Sequence, residues 1–295
     1  TGKIVDERNA VEAHGGKIVY THDITFSSSS LINEYFSPYP PEVMDYLKSF
    51  KSRYSVDDVM NCIDALQDLS VLVIGETIID EYVFCDAIGK AGKEPVLVSK
   101  YNRQERYAGG ILAVANHAKD FCKNVTCLTY LGEGDDELKF IKQHLKQGVT
   151  LEHVEKLDSP TIVKTRYLEE YSGQKLFEMY QINDNGFVEN KKKFSERLES
   201  LVPQFDVVIV ADYGHGLIDA DAIEYLSKHA KFLAVNTQAN AGNHGFNCIE
   251  KYPRADYVSI AHRELTLTIR DKSRTAEEGL KYLLDNRDYR SIMVT

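Results

Sequence analysis

The feature that most constrains the fold is an alternation, from residue 70 onward, of short apolar runs with stretches of helical spacing. The first run, Val71-Leu72-Val73-Ile74-Gly75, is continuous, which is typical of a strand that is covered on both faces. Strands that alternate with helices predict an α/β fold, with a mostly parallel sheet flanked by helices. The later predicted strands are 125–130, 207–211, 232–236, 257–260 and 292–295, and the predicted helices are 110–122, 135–147, 192–201, 219–229 and 275–285.

Two segments, residues 82–107 and 160–182, depart from this alternation. Both are rich in Tyr, Val, Thr and charged residues, and their side chains alternate with the period of a strand. Each segment leaves the α/β series and then returns to it. We therefore expect a small antiparallel β-lid that projects from the main body.

Residues 1–36 are organised as a separate, small unit. The pattern predicts a helix over 7–14 that ends at Gly15-Gly16, a strand over 17–21, and a helix over 31–36 behind a run of four serines. Three such elements are too few to bury a core, so this unit is expected to pack on other structure.

Residues 37–69 are expected to be a helical connector. Pro38, Pro40 and Pro41 interrupt the chain, because proline fixes φ and lacks a hydrogen-bond donor. After them, apolar side chains recur at helical spacing from Val43 to Leu66, which predicts two amphipathic helices. A further domain is then expected over residues 70–295.

Composition excludes several classes of protein. The net charge of −10 disfavours nucleic acid and anionic membranes as partners. No apolar run approaches the ~20 residues that a membrane-spanning helix needs. The five cysteines form no Cys-x-x-Cys pair and are odd in number, so neither a zinc site nor a disulfide framework is expected, and a cytoplasmic location fits best.

Polar residues and glycines follow the predicted strands at the edge where parallel sheets bind ligands. Asp80 lies shortly after the first strand, where its carboxylate could bind substrate hydroxyls or be a solvated loop acid. Gly109 and Gly110 precede a helix, where they could let a ligand approach free backbone N–H groups or form a plain turn.

Further candidates lie in the lid and after the later strands. Lys164 and Arg166 share one face of a predicted lid strand, because side chains two residues apart point the same way. They could bind a phosphate or close over a sugar, or they could protect an exposed strand edge from pairing. Asp212 follows a buried strand beside two glycines, and Asn236 and Glu264 follow the next two strands.

Residues 70–295 resemble the ribokinase-like (PfkB) carbohydrate kinases, and most closely their heptose-phosphate kinase branch. The order and spacing of several short motifs carry the resemblance. They are Val71-Leu72-Val73-Ile74-Gly75-Glu76 with Asp80, Glu94-Pro95-Val96, Ala108-Gly109-Gly110, 132–135, 161–166, 211–216 and Glu264.

The resemblance implies transfer of the γ-phosphoryl group of ATP to a sugar hydroxyl, with Mg²⁺ as the metal, and a homodimer formed through the β-lid. Asp80, Gly109 and Gly110 would hold the sugar, and Asp212 would line its pocket. Lys164 and Arg166 would approach the sugar from the lid. By the same resemblance, Asn236 and Glu264 would lie on the nucleotide and Mg²⁺ side.

The sequence departs from the family pattern at several positions. Ala113 and Ala261 stand where asparagines are usual, and His215 and Gln238 stand where lysines are common. The family's catalytic base lies in a Gly-Ala-Gly-Asp turn, expected after Thr295, and residues 1–295 contain no such turn. We therefore expect residues 1–295 alone to lack normal kinase turnover.

The N-terminal unit carries a resemblance of its own. Val11 to Val19, followed by Phe26 and the serine run, looks like the last unit of a cytidylyltransferase-like nucleotidyltransferase domain. Together the two resemblances imply a bifunctional sugar-activating enzyme. A second hypothesis is a non-catalytic sugar- or nucleotide-sensing or assembly module, which the substitutions at Ala113, Ala261 and Gln238 motivate. A nucleoside or fructose kinase is a third, because the fold alone does not fix the substrate.

Overall fold

The computed structural model describes residues 3–18, 39–134, 137–183 and 190–295. The chain divides into two compact units, Thr1–Val59 and Met60–Thr295. In chain order, the helices are α1 (Lys3–Ala13), α2 (Pro41–Arg53), α3 (Val56–Ala65), α4 (Ile111–Phe121), α5 (Leu138–His144), α6 (Lys191–Leu201), α7 (Ala220–His229), α8 (His262–Ile269) and α9 (Ala276–Asn286).

The strands of the described residues fall in the second unit. They are β1 (Ser70–Gly75), β2 (Thr77–Lys90), β3 (Leu97–Gly110), β4 (Asn124–Gly132), β5 (Val149–Lys156), β6 (Ile162–Glu169), β7 (Lys175–Gln181), β8 (Val207–Asp212), β9 (Leu233–Thr237), β10 (Arg254–Ala255), β11 (Tyr257–Ile260), β12 (Asp288–Tyr289) and β13 (Ile292–Val294). Strands β10 and β12 form a separate two-stranded sheet, which the sequence pattern did not predict.

The first unit contains α1 and α2. Gly15 follows the end of α1 by two residues, and its φ of 75° is the left-handed conformation that glycine adopts readily after helices. The predicted helix over 31–36 and most of the predicted strand over 17–21 lie outside the described residues. The two helices predicted between residues 37 and 69 are confirmed as α2 and α3.

The main sheet of the second unit has seven strands in the order β13-β11-β9-β8-β1-β4-β5, and every neighbouring pair is parallel. The carboxyl ends of these strands therefore meet at one edge. Leu72 and Ile74 of β1 point into one apolar cluster, whereas Val71 and Val73 point into a second cluster. Burial of both faces explains why β1 is apolar at successive positions.

Strands β2, β3, β6 and β7 form the predicted lid, a four-stranded sheet in the order β3-β2-β6-β7. Its two hairpins are antiparallel, but β2 and β6 pair in parallel at its centre. The reason is their origin: β2 follows β1 and β6 follows β5, so both strands leave the same edge of the main sheet in the same direction. The α/β fold and the lid are thus confirmed, with a parallel pair added.

The predicted helices of the second unit are confirmed with small changes of boundary. The largest change is in α5, which covers seven residues within the predicted range 135–147. In the parts of the chain that the structure describes, no helix combines the length and the apolar character needed to cross a membrane.

Candidate active site at the carboxyl edge of the sheet

Asp80 and Gly109 lie side by side where β2 and β3 leave the main sheet. The carboxylate Oδ1 of Asp80 accepts a hydrogen bond of 2.5 Å from a guanidinium nitrogen of Arg166. Gly109 has no side chain to obstruct this carboxylate, because a Cβ there would lie 1.9 Å from Oδ2 of Asp80. The structure therefore brings together three of the residues that the sequence singled out.

Gly110 makes the turn from the lid into α4. Its φ of 56° suits glycine, and a Cβ there would lie 2.5 Å from the carbonyl oxygen of Glu76. The same carbonyl accepts the N–H of Ile111 at 3.0 Å, so the start of α4 is fixed to the end of β1.

Lys164 and Arg166 occupy one face of β6, next to Asp80 and Tyr82 of β2 in the strand register. Lys164 is buried, and its Nζ lies 3.3 Å from Nε2 of His215. Partial burial lowers the pKa of Arg166, but the hydrogen bond and the charge of Asp80 outweigh this and raise it. The lid thus supplies two basic side chains, one held against His215 and one against Asp80.

Glu76 follows β1 directly and is fully buried. Its Oε2 accepts the N–H of Tyr213 and its Oε1 accepts the N–H of His215, both at 3.0 Å. Between them, the N–H of Gly214 donates to Oδ1 of Asp212 at 3.0 Å. Burial, and then repulsion by Asp212, raise the pKa of Glu76 to about 7.

Tyr213 brings a phenol to the same region. Burial first, and then the negative charges of Glu76 and Asp80, raise its pKa to about 12. The phenol therefore keeps its proton at neutral pH and remains available as a hydrogen-bond donor.

Asp212 ends β8, and its side chain is only 1% exposed. Its Oδ2 accepts the hydroxyl of Tyr252 at 2.7 Å and pairs with Nζ of Lys251 at 2.6 Å. Asn247 Nδ2 donates to the Asp212 carbonyl at 2.7 Å. The sequence suggested Asp212 as a pocket residue, and the structure shows how this buried carboxylate is held.

Asn236 and Glu264 lie farther along the same edge, at β9 and in the first turn of α8. Asn236 Nδ2 donates to the carbonyl of Ser259 at 2.7 Å. The carboxylate of Glu264 accepts the N–H of Ala239 at 3.1 Å and the N–H of Ala261 at 2.5 Å. These contacts fix the chain after β9 and β11. They form a group separate from the one around Asp80.

Sequence reasoning missed Glu76, Lys251 and Tyr252. An acidic residue directly after a buried strand was a usable signal for Glu76. Lys251 and Tyr252 had none, because they reach Asp212 from about 40 positions away in the chain. Among the described residues, no three His, Cys, Asp or Glu side chains group in a way that could hold a metal ion.

Comparison with solved structures identifies the fold. The chain superposes on Arabidopsis thaliana ribokinase, solved with ribose and ATP, with a TM-score of 0.58 and 16% identity, covering 77% of this chain and 72% of that one. It superposes on phosphofructokinase-2 from Escherichia coli with a TM-score of 0.56 and 11% identity, covering 77% and 72%. The fold is therefore ribokinase-like.

Sequence comparison adds a particular relationship. The bifunctional protein HldE of Campylobacter jejuni subsp. doylei is 22% identical over 232 residues, which cover 78% of this chain and 48% of that protein. No protein-family model matches the chain. The resemblance to the PfkB carbohydrate kinases and their heptose kinase branch is thus confirmed. The chain spans about half the length of the curated relatives it matches.

Proposed function

We propose that this chain is the kinase part of a bifunctional sugar-activating enzyme, and that it transfers the γ-phosphoryl group of ATP to a hydroxyl of a sugar or sugar phosphate. The observation that carries the proposal is the group of Asp80, Gly109 and Arg166 at the carboxyl edge of a ribokinase-like sheet. Ligands of open α/β sheets bind at this edge.

On the acceptor side, the carboxylate of Asp80 would accept hydrogen bonds from sugar hydroxyls, and the small Gly109 and Gly110 would let the sugar approach. Lys164 and Arg166 would add positive charge from the lid, and Asp212 would hold the wall of the pocket. Phosphoryl transfer depends chiefly on positioning and on stabilisation of charge, which such groups provide.

On the nucleotide side, we assign Asn236 and Glu264. Mg²⁺ keeps several waters and binds through one or two protein carboxylates together with substrate phosphates. Glu264 supplies one carboxylate of this kind, and each of its oxygens keeps a lone pair beyond the one that accepts the N–H of Ala239 or Ala261. When bound with ATP, Mg²⁺ would neutralise the charge that develops on the phosphates.

The test is phosphoryl transfer by the full-length gene product, with ATP and Mg²⁺, to a panel of heptose phosphates, fructose 6-phosphate and ribose. Asp80→Asn should lower kcat/KM for the acceptor about 100-fold, because the neutral amide is a weaker acceptor and a poorer partner of Arg166. The matched control is Asp120→Asn, since Asp120 pairs with Lys146 on an exposed surface. Calorimetry that detects binding of neither ATP nor any acceptor would contradict the proposal.

A second candidate is a non-catalytic sensing or assembly module, favoured by Ala113, Ala261 and Gln238 at positions where the family carries other residues. Binding of ATP and acceptor by the full-length product without turnover would support it. The same assay, run on residues 1–295 alone, tests the expectation that the catalytic base lies outside them.

We further propose a homodimer formed through the lid, whose edge strands expose Tyr101 and Phe177. We also propose that residues 1–36 are the tail of a nucleotidyltransferase-like domain, that residues 37–69 are a connector and that residues 70–295 are the kinase domain. We propose that the protein is cytoplasmic. Free cysteines throughout the described chain fit a reducing compartment. The molecular mass in solution, measured with and without a charged substitution at Phe177, tests the dimer.

A further inference from the structure

We propose that Glu76 is a positioning residue of the acceptor side: through the turn that follows β8, it holds His215 against Lys164. The inference deepens the proposed function and rests on it, because that function defines the acceptor side. Glu76 itself is fully buried and contacts the turn rather than the space in front of Asp80.

The backbone N–H groups of the turn give the first argument. Three successive N–H groups, those of Tyr213, Gly214 and His215, all donate to carboxylates, two to Glu76 and the middle one to Asp212. Gly214 has a φ of 72°, which bends the backbone so that these groups converge. Hydrogen bonds to an ionised acceptor are about twice as strong as neutral ones, so the carboxylate of Glu76 determines the shape of this turn.

The neighbours of the turn give the second argument. His215 is 1% exposed, and its Nε2 lies 3.3 Å from Nζ of Lys164 in the lid. The carbonyl of Glu76 meanwhile accepts the N–H of Ile111, directly after Gly110. A single residue therefore fixes both Gly110 and the imidazole that meets the lid lysine.

The charge of Glu76 has an electrostatic cost. Asp212 faces it from β8, Tyr213 and His215 from the turn, and Lys251 and Tyr252 lie behind Asp212. Burial and the charge of Asp212 favour the protonated form of Glu76. In that form one of the two oxygens carries a proton and is a weaker hydrogen-bond acceptor. We therefore expect the turn to loosen as pH falls, and the grip on His215 to weaken with it.

The test that is independent of activity follows the backbone amide resonances of Tyr213 and His215 in the isotope-labelled chain. The chemical shifts of both resonances should move with pH, with one midpoint near pH 7, where the pKa of Glu76 lies. Glu76→Gln should abolish this movement. Glu152→Gln, which alters a surface carboxylate paired with Arg197, is the control and should leave the movement unchanged.

Histidine side chains in general change charge near neutral pH, so the Tyr213 resonance is also followed in a His215→Gln variant. The proposal expects the movement to persist there. Its loss in His215→Gln, or its survival in Glu76→Gln, overturns the proposal. The His215→Gln result decides the question even if Glu76→Gln does not fold.

The kinetic arm uses the full-length product. Glu76→Gln should raise KM for the acceptor about tenfold, with KM for ATP within about twofold, because only the acceptor side loses its geometry. Equal changes in both KM values, or none, would overturn the positioning role. Absence of any transfer by the wild type would contradict the proposed function alone, and the resonances would still decide the role of Glu76 in the turn.

Discussion

At the scale of single residues, the close approach of Gly109 to Asp80 leads to a direct prediction. Gly109→Ala would place a Cβ 1.9 Å from Oδ2 of Asp80, so the carboxylate must rotate away from Arg166. Because the clash involves the end of a side chain, the free energy of unfolding should fall by only about 1 kcal/mol. The acceptor KM should rise about tenfold or more.

The matched control for Gly109→Ala is Gly92→Ala in the loop of the same hairpin. A Cβ at Gly92 would meet no atom within 4 Å, so stability and acceptor KM should both stay at wild-type values. An acceptor KM in Gly109→Ala equal to that of the wild type would show that the position of Asp80 does not matter for binding.

At the residue scale, the proximity of candidate side chains was predictable where short motifs carried them. Asp80, Gly109 and Arg166 belong to separate motifs, and the structure places them in contact. The contact of Glu76 with His215 was not predictable, because its partner lies 139 positions away. A local pattern contains no information on which distant N–H group a buried carboxylate will meet.

At the scale of elements, the N-terminus of α9 offers a test of helix capping. Oγ1 of Thr275 accepts the N–H of Glu278 at 3.2 Å, and the carboxylate of Glu278 accepts the N–H of Thr275 at 2.9 Å. Thr275→Ala removes one half of this capping box and should cost about 1 kcal/mol of unfolding free energy, measured by urea denaturation.

The control for this cap is Ser273→Ala, just before the helix, where the hydroxyl bonds only to Asp271 within the loop. It should change the unfolding free energy by less than about 0.5 kcal/mol. An equal loss in both variants would mean that the cap contributes nothing specific to α9.

The existence of most elements was predictable from periodicity, but β5 and α8 were not predicted, and element pairing was not predictable. The continuous apolar run of β1 reflects burial on both faces, and the sequence shows that burial directly. The parallel pairing of β2 with β6 follows from where both strands leave the main sheet, which is a property of the assembled topology. Strands β10 and β12 have two residues each, too few to produce a period.

At the scale of the whole molecule, the buried charge of Glu76 predicts how stability depends on pH. Its pKa rises from 4.5 to about 7 in the folded chain, so the folded state binds the proton more tightly than the unfolded state. The contribution of this group is therefore fully present below about pH 4.5 and is lost as pH rises to about 7. Above about pH 7 the chain therefore holds the ionised form of Glu76 at the expense of stability.

Urea unfolding of wild type and Glu76→Gln on both sides of this window provides the measurement. The stability of the wild type relative to Glu76→Gln should fall, on raising the pH through the window, by an amount on the order of a few kcal/mol. Glu152→Gln should show no such trend relative to the wild type. A difference between wild type and Glu76→Gln that is constant with pH would mean that Glu76 titrates alike in both states.

Strand β1 is synthesised early but acquires its second neighbour late. It pairs with β4 on one side and β8 on the other, and the N–H of Ser70 reaches Asp206 across 136 positions of the chain. At about 5–20 residues per second, ribosomes leave one edge of β1 open for on the order of ten seconds. An open apolar edge pairs readily with other chains. This inner strand of the finished sheet is thus an aggregation hazard on the ribosome until β8, its second neighbour, has emerged.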